Sequence, residues 1–250
     1  MTTLIGTFHG TFDMNGPARL EKLLSYLHPH AISIEVPEGI DIDGFVTTAN
    51  ERIRDTRRSI RECAAEPWLK QLAQKTVDTY VYELRVAHAQ AKKMKAKLYA
   101  IDHPDLSEVE SFLYVGDAAS LMQEIIDSMS PELQKTAASM DIQEFMKLHG
   151  KGSRRLYHDP QLLEALYESL PALQKEKLKI NFPVSGNTRE SYMAERIRAL
   201  QPNVHIGGAA HAFPEFAPIC LPNGTVPLYD LIKDIVTTRY RLSDADDIVS

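Results

Sequence analysis

The chain has 250 residues, of which 44% are hydrophobic and 25% charged, and its formal charge is −6. That length can bury a large core, as one α/β domain or two small ones, and the acidic balance argues against a general nucleic-acid binder. Cys63 and Cys220 lie far apart and form no disulfide framework or zinc-type spacing. With no basic flank and apolar block at the N-terminus and no apolar run of about 18 residues, the expectation is a cytoplasmic protein without a membrane partner.

Thr3 to Phe8 is an apolar run too short for a helix and stopped by Gly10, which predicts a strand. Gly16-Pro17 opens a helix whose stripe is Leu20, Leu23, Leu24 and Leu27, ended by Pro29. Ala31 to Val36 is the second strand, and the βαβ unit so formed predicts that the two strands are parallel. Residues 44 to 97 are helical in character, with a break near Glu66-Pro67 and then one long helix of roughly 28 residues. Lys92, Lys93, Lys95 and Lys97 close that helix as a solvated basic run suited to its C-terminus. Leu98 to Asp102 is a third strand, stopped by His103-Pro104.

From Ser107 to about Lys179 the pattern predicts shorter helices at Gly116 to Met129, Pro131 to Met140, Ile142 to Leu148 and Pro160 to Leu170. Gly150-Lys-Gly-Ser-Arg-Arg155 reads as a flexible connection and lacks the spacing of a phosphate loop. The domain expectation is one α/β unit over 1–250, with 107–180 as a helical insert or cap. Asn187 begins another helix, with Glu190 as its capping-box partner and Arg189, Met193, Ile197 and Leu200 on one face. A strand from Asn203 to Gly207 then leads into Gly208-Ala-Ala-His211, an echo of Gly6-Thr-Phe-His9. An apolar segment near Val226 to Val236 and a last strand at Thr237 to Leu242 complete the order.

Four predicted strands thus end in residues able to do chemistry: His9, Glu35, Asp102 and His211. In an open parallel sheet the carboxyl ends of the strands share one edge, where ligands bind. Two imidazoles with one or two carboxylates can hold a divalent metal, or a histidine can act as a base with Glu35 orienting it. Each residue also has a plain reading as a hydrogen-bonding or turn residue. Arg189, on an apolar helix face, needs a carboxylate or an anionic ligand if it is buried, and otherwise extends to solvent.

The ordered set resembles the TraB/PrgY family and the related Tiki-type metalloproteases. Gly6-Thr7-Phe8-His9 is similar to that family's first motif, and Ile34-Glu35-Val36 to its strand-borne glutamate. Tyr82-Glu83-Leu84-Arg85 and Leu98 to Asp102 resemble its middle helix and next strand. Thr188-Arg189-Glu190-Ser191-Tyr192-Met193 resembles its arginine segment, and Gly208 to His211 its second Gly-x-x-His. The chain departs from that pattern at Glu190, where Asp or Asn is common, at His103, and at Ala212-Phe213-Pro214-Glu215.

The resemblance implies an α/β fold with a mainly parallel central sheet flanked by helices and a helical insert or cap (EreA/ChaN-like type), built from two related halves. It also implies a metal-dependent hydrolase of peptide or amide bonds. His9, Glu35 and His211 are the expected metal ligands, and Glu35, Asp102 and Arg189 the catalytic candidates. Arg189 and Glu83 are expected to bind substrate, with Glu83 and Asp102 also able to orient a histidine. The cofactor would be a divalent transition metal (Mn, Co or Zn), and the partner a peptide or small-molecule substrate. A metal-independent esterase-like hydrolase and a non-catalytic protein that sequesters a peptide or small ligand remain open, as does the oligomeric state.

Overall fold

A computed structural model of the chain describes residues 1–8, 13–106, 117–127, 129–169 and 186–248. Its core is a five-stranded sheet in the order β3-β2-β4-β1-β5, parallel throughout. The strands are β1 (Thr2–Thr7), β2 (Ala31–Pro37), β3 (Lys97–Asp102), β4 (Val204–Gly208) and β5 (Val236–Arg241). The predicted α/β class and the parallel β1 and β2 are thus present, with β4 inserted between those two. Leu4, Ile5, Ile32, Ile34 and Ile206 are fully or almost fully buried, as strands covered on both faces require.

Helices α1 (Gly16–Leu27), α2 (Ile42–Glu62), α3 (Pro67–Asp78) and α4 (Tyr82–Met94) lie in the crossovers β1 to β2 and β2 to β3. Helices α5 (Ala118–Asp127), α6 (Pro131–Ser139), α7 (Ile142–His158), α8 (Pro160–Ser169) and α9 (Gly186–Leu200) lie between β3 and β4, and a short helix, Leu228–Ile232, precedes β5. The first two crossovers step one way along the sheet and the last two step back. With right-handed connections, α1 and α4 therefore cover one face, while α9 and the 228–232 helix cover the other. The connection after β4 leaves to the opposite face from those after its neighbours β1 and β2. A crevice opens at such a reversal, at the carboxyl end of β4.

Three local expectations are corrected. The long helix expected after Pro67 is broken at Thr79–Val81, where Val81 has φ 37°. Thr76, Val77 and Thr79 are β-branched and weak helix formers, and Arg85 donates to the freed carbonyls of Asp78 and Tyr80 at 3.2 and 3.1 Å. The break turns Tyr82 into the core against Gly16. The stretch Gly150 to Arg155, expected as a connection, is helical within α7. Its Gly150 allows close approach of α1, since a Cβ there would lie 2.5 Å from Asn15 Nδ2, and buried Arg19 donates to Gly150 O at 3.3 Å and Ser153 Oγ at 3.1 Å. Asn187 lies inside α9, where its side chain accepts from Val226 N at 2.9 Å and donates to Gly224 O at 3.1 Å, so Glu190 caps nothing.

Among the described residues no helix is long and apolar enough to cross a membrane. Parts of the expected 107–180 cap, residues 107–116, 128 and 170–180, lie outside the described set.

Two glycines should respond oppositely to alanine. At Gly16 a Cβ would sit 2.7 Å from the buried Tyr82 ring, so Gly16→Ala is expected to cost about 1–3 kcal/mol. Gly152, in α7, has nothing within 4 Å, and Gly152→Ala should add about 0.5–1 kcal/mol. Urea unfolding of the two variants checks both signs.

Candidate functional site

The carboxyl edge of the sheet collects polar groups because β2 and β4 alternate in phase. Ser33 pairs with His205 and Ile34 with Ile206, so one step further Glu35 stands beside Gly207. Ser33, Glu35, His205 and Gly207 share one face, while Ile34 and Ile206 point to the other. Between β2 and β3 the register shifts from Ile34–Ala100 to Pro37–Asp102. The extra residue of β2 at this bulge sets Asp102 opposite Pro37 and not Val36.

Arg189, in the first turn of α9, joins these strands. Its Nε lies 2.9 Å from Asp102 Oδ1 and its Nη2 2.6 Å from Asp102 Oδ2, a two-pronged ion pair. The same Nη2 also donates to Glu35 Oε1. The side chains of Arg189, Glu35 and Asp102 are at most 9% exposed. Burial alone would lower the arginine's pKa, but Glu35 and Asp102 raise it above its ordinary value. The expected buried arginine is thus present, and carboxylates of the chain itself engage it. Glu35 Oε2 accepts from Gly208 N at 2.8 Å.

His211 belongs to a one-turn helix, Ala209–Ala212, rather than to the strand end that was expected to deliver it. Its Nε2 lies 3.0 Å from Glu35 Oε1, and its Nδ1 lies 2.7 Å from Glu190 Oε1. The second contact is close enough for strong charge pairing but is not aligned as a hydrogen bond. Burial disfavours the imidazolium, yet the charges of Glu35 and Glu190 outweigh it and push the pKa of His211 up to about 10. A histidine flanked by two buried carboxylates keeps its proton at neutral pH.

Glu190 and His205 complete the cluster, and neither was assigned a role there from sequence. Glu190 is 1% exposed, and its Oε2 has no hydrogen-bond partner among the described residues. His205 Nδ1 lies 3.1 Å from Ser33 Oγ, while its buried Nε2 is likewise without a partner among the described residues. Burial pushes the pKa of His205 down to about 4, against the pull of Glu35. A Cβ at Gly207 would lie 2.9 Å from His205 Nε2 and 3.0 Å from Glu35 Oε2, so only glycine leaves these two groups in place.

Of the expected site residues, the structure brings together Glu35, Asp102, Arg189 and His211. His9 lies outside the described residues. Its neighbour Phe8 is held firmly: the Phe8 N–H donates to Tyr157 Oη at 2.9 Å and Tyr82 Oη donates to Phe8 O at 3.3 Å. Glu83 sits half-buried in the first turn of α4 beside Tyr82, and its charge helps raise the pKa of both tyrosines after burial has done most of that. It therefore belongs to the Phe8 end of the edge.

Three buried carboxylates, Glu35, Asp102 and Glu190, face one permanent cation in this cluster among the described residues. The remaining charge calls for a second cation, which a proton on His211 or a metal ion could supply equally. Glu35 Oε1 and His211 Nε2 are 3.0 Å apart, the span of two ligands bound at about 2.0–2.2 Å to one ion, so these residues fit such a group. Among the described residues, no three histidine, cysteine or acidic side chains yet converge on one point.

Comparison of the chain with family models, with curated proteins and with solved structures yields no match in any of the three.

Two outcomes follow from the cluster's charge. Arg189→Met leaves Asp102 and Glu35 buried without their cation and should cost about 3–5 kcal/mol in chemical unfolding. The two histidines should titrate apart when followed by NMR, with His211 protonated past pH 9 and His205 neutral down to about pH 5. Because His211 has a raised pKa, its stabilisation is full below its ordinary 6.5 and is lost as pH rises through about 10. The lowered pKa of His205 makes the native state lose stability as pH falls from 6.5 towards 4.

Proposed function

We propose that this edge is the active site of a metal-dependent hydrolase acting on peptide or amide bonds. The observation that carries the reading is the Glu35–His211 pair, 3.0 Å apart within a cluster whose carboxylates exceed its permanent cation. Glu35 and His211 would hold the ion with His9, the residue that follows the clamped Phe8. The likeness of the two Gly-x-x-His motifs to the TraB/PrgY and Tiki-type families supports the same ligand set. When bound, a divalent transition metal of the Mn, Co or Zn type polarises a carbonyl and lowers the pKa of a bound water.

The rest of the chemistry belongs to the chain. Arg189, locked by Asp102, orients Glu35. The Gly208 N–H fixes the other Glu35 oxygen. Glu190, 2.7 Å from His211 Nδ1, pairs with the ring by charge on the side away from Glu35. The Nε2 proton of His211 must leave when a metal enters, so binding releases a proton.

A second reading has its own support. Because His211 keeps its proton beside Glu35, it could supply a fixed positive charge and N–H donor to the oxyanion that develops in a metal-free ester hydrolysis.

Calorimetric titration of the apo protein with Mn²⁺, Co²⁺ and Zn²⁺ in two buffers of different ionisation enthalpy separates these readings. Wild type should bind one ion and release about one proton near neutral pH. Glu35→Gln and His211→Ala should bind at least about 100-fold more weakly. A wild type that binds none of the three ions overturns the metal reading. Ester turnover that survives strong chelation but not His211→Ala would select the metal-free one. Ligand retention without turnover across a peptide and ester panel would point to sequestration.

A further inference from the structure

Away from the Glu35 cluster, a cavity of about 390 Å³ lies between α1 and α7, close to the C-terminal segment. Four cations line it, Arg19, Lys147, Lys151 and Arg154, against the single carboxylate of Asp246. Asp13 and Asp246 balance Arg19, and Asp247 balances Arg154, so among the described residues the uncompensated positive charge of this wall is that of Lys147 and Lys151.

Arg19 forms the fixed part of the wall. Its side chain is 6% exposed, and its Nη1 lies 2.8 Å from the fully buried Asp13 and 3.1 Å from Ser153 Oγ. These partners set the direction of the guanidinium before any ligand arrives. Its Nη2 lies 2.6 Å from Asp246 Oδ2, and its Nε donates to the same oxygen at 3.1 Å. The Asp246 side chain is 42% exposed and belongs to the C-terminal segment, so a carboxylate already sits where an anionic ligand would meet Arg19.

Opposite stands a basic stripe on α7. Lys147, Lys151 and Arg154 follow at four- and three-residue steps on one face. Arg154 pairs with Asp247. Lys147 and Lys151 are exposed and make no ion pair among the described residues. Like charges one turn apart destabilise a helix slightly, and the helix dipole accounts for basic residues only in the last turn of α7, near Arg155 and His158. A bound anion would offset that repulsion. The lining also carries the amides of Asn15 and Gln143 and contains no aromatic ring on which a nucleobase could stack.

We propose that this cavity binds a small phosphorylated, hydroxyl-bearing molecule, with its phosphoryl dianion held by Arg19, Lys147 and Lys151. Guanidinium and ammonium groups that converge from two helices match a phosphoryl group's several acceptor oxygens better than a single carboxylate. The Asn15 and Gln143 amides face the remainder of the ligand. Asp246 competes with the dianion for Arg19, so its removal strengthens binding.

Pyrophosphate and glycerol 3-phosphate, with citrate as a multiply charged carboxylate control, test this by calorimetry at low salt. Wild type should bind both phosphoryl probes saturably at one site, more tightly than citrate. Lys147→Glu with Lys151→Glu should weaken binding roughly tenfold or more, and Asp246→Asn should tighten it severalfold. These positions are exposed or partly so, and an unchanged thermal melt confirms that each variant is folded. No saturation at about 1 mM probe, citrate binding as tight as pyrophosphate, or indifference to both substitutions overturns the proposal.

Discussion

The two-pronged pairing of Arg189 with Asp102, extended to Glu35, is the interaction on which the edge depends. Parallel strands end with their side chains converging, and here three of those side chains or their neighbours are carboxylates held away from water. Transferring them unpaired would cost several kcal/mol each, more than a domain's usual net stability could carry. One guanidinium from α9 spans β3 and β2 and makes the arrangement tolerable. A helix and two strands are thus joined by one ion pair.

With Arg189 committed to Asp102 and Glu35, His211 adds a positive charge between Glu35 and Glu190. Under the proposed function, a metal ion would meet the same electrostatic demand that the proton on His211 meets here. His205 behaves oppositely although it stands on the same face, because Ser33 is its only described neighbour in hydrogen-bond reach and its burial is complete. Two imidazoles with pKa values pushed to either side of neutrality give the edge one fixed donor and one fixed neutral ring. The chain leading into and out of segment 9–12 is anchored as well, by the tyrosine clamp on Phe8 and by the Asp13–Arg19 pair. Buried arginine–aspartate pairs thus stand both at the Glu35 cluster and beyond that segment.

Much of this could be read from residue order. Apolar runs closed by glycine or proline place β1, β2 and β3 within one or two residues, and a parallel sheet by itself brings Glu35 and Asp102 to one edge, whereas Arg189 arrives from α9 and His211 from the turn after β4. Glu190 reads as a capping residue because Asn187 stands three positions before it, but the helix pattern carries a better signal: Glu190, Met193, Ala194 and Ile197 fall at three- and four-residue steps, so the glutamate occupies the first position of a buried stripe. The alternation Ser33-Ile34-Glu35 beside His205-Ile206-Gly207 likewise puts the polar members of both strands on one face, but that becomes visible only once β4 is known to lie next to β2. The break at Thr79–Val81 and the helical Gly150 to Arg155 depend on tertiary partners, Tyr82 against Gly16 and Asn15 against Gly150, which no local pattern encodes.

The two Gly-x-x-His motifs are not equivalent in space. β1 pairs with β4 so that Gly6 stands opposite Gly207, and Thr7, not Gly6, opposite Gly208. The second motif therefore begins one residue further along its strand than the first and leaves the sheet through a helical turn. The aligned glycines also serve different ends. At Gly6 a Cβ would lie 2.8 Å from the Phe213 ring and 3.1 Å from Ala209 Cα, so this glycine lets the turn that carries His211 pack over β1. At Gly207 the same absence of a side chain leaves room for His205 Nε2 and Glu35 Oε2. A glycine on β1 thus makes room for the turn that carries His211, while the glycine aligned with it on β4 accommodates the glutamate of β2. The cluster is built across strands, by register, and not by repetition of a local motif.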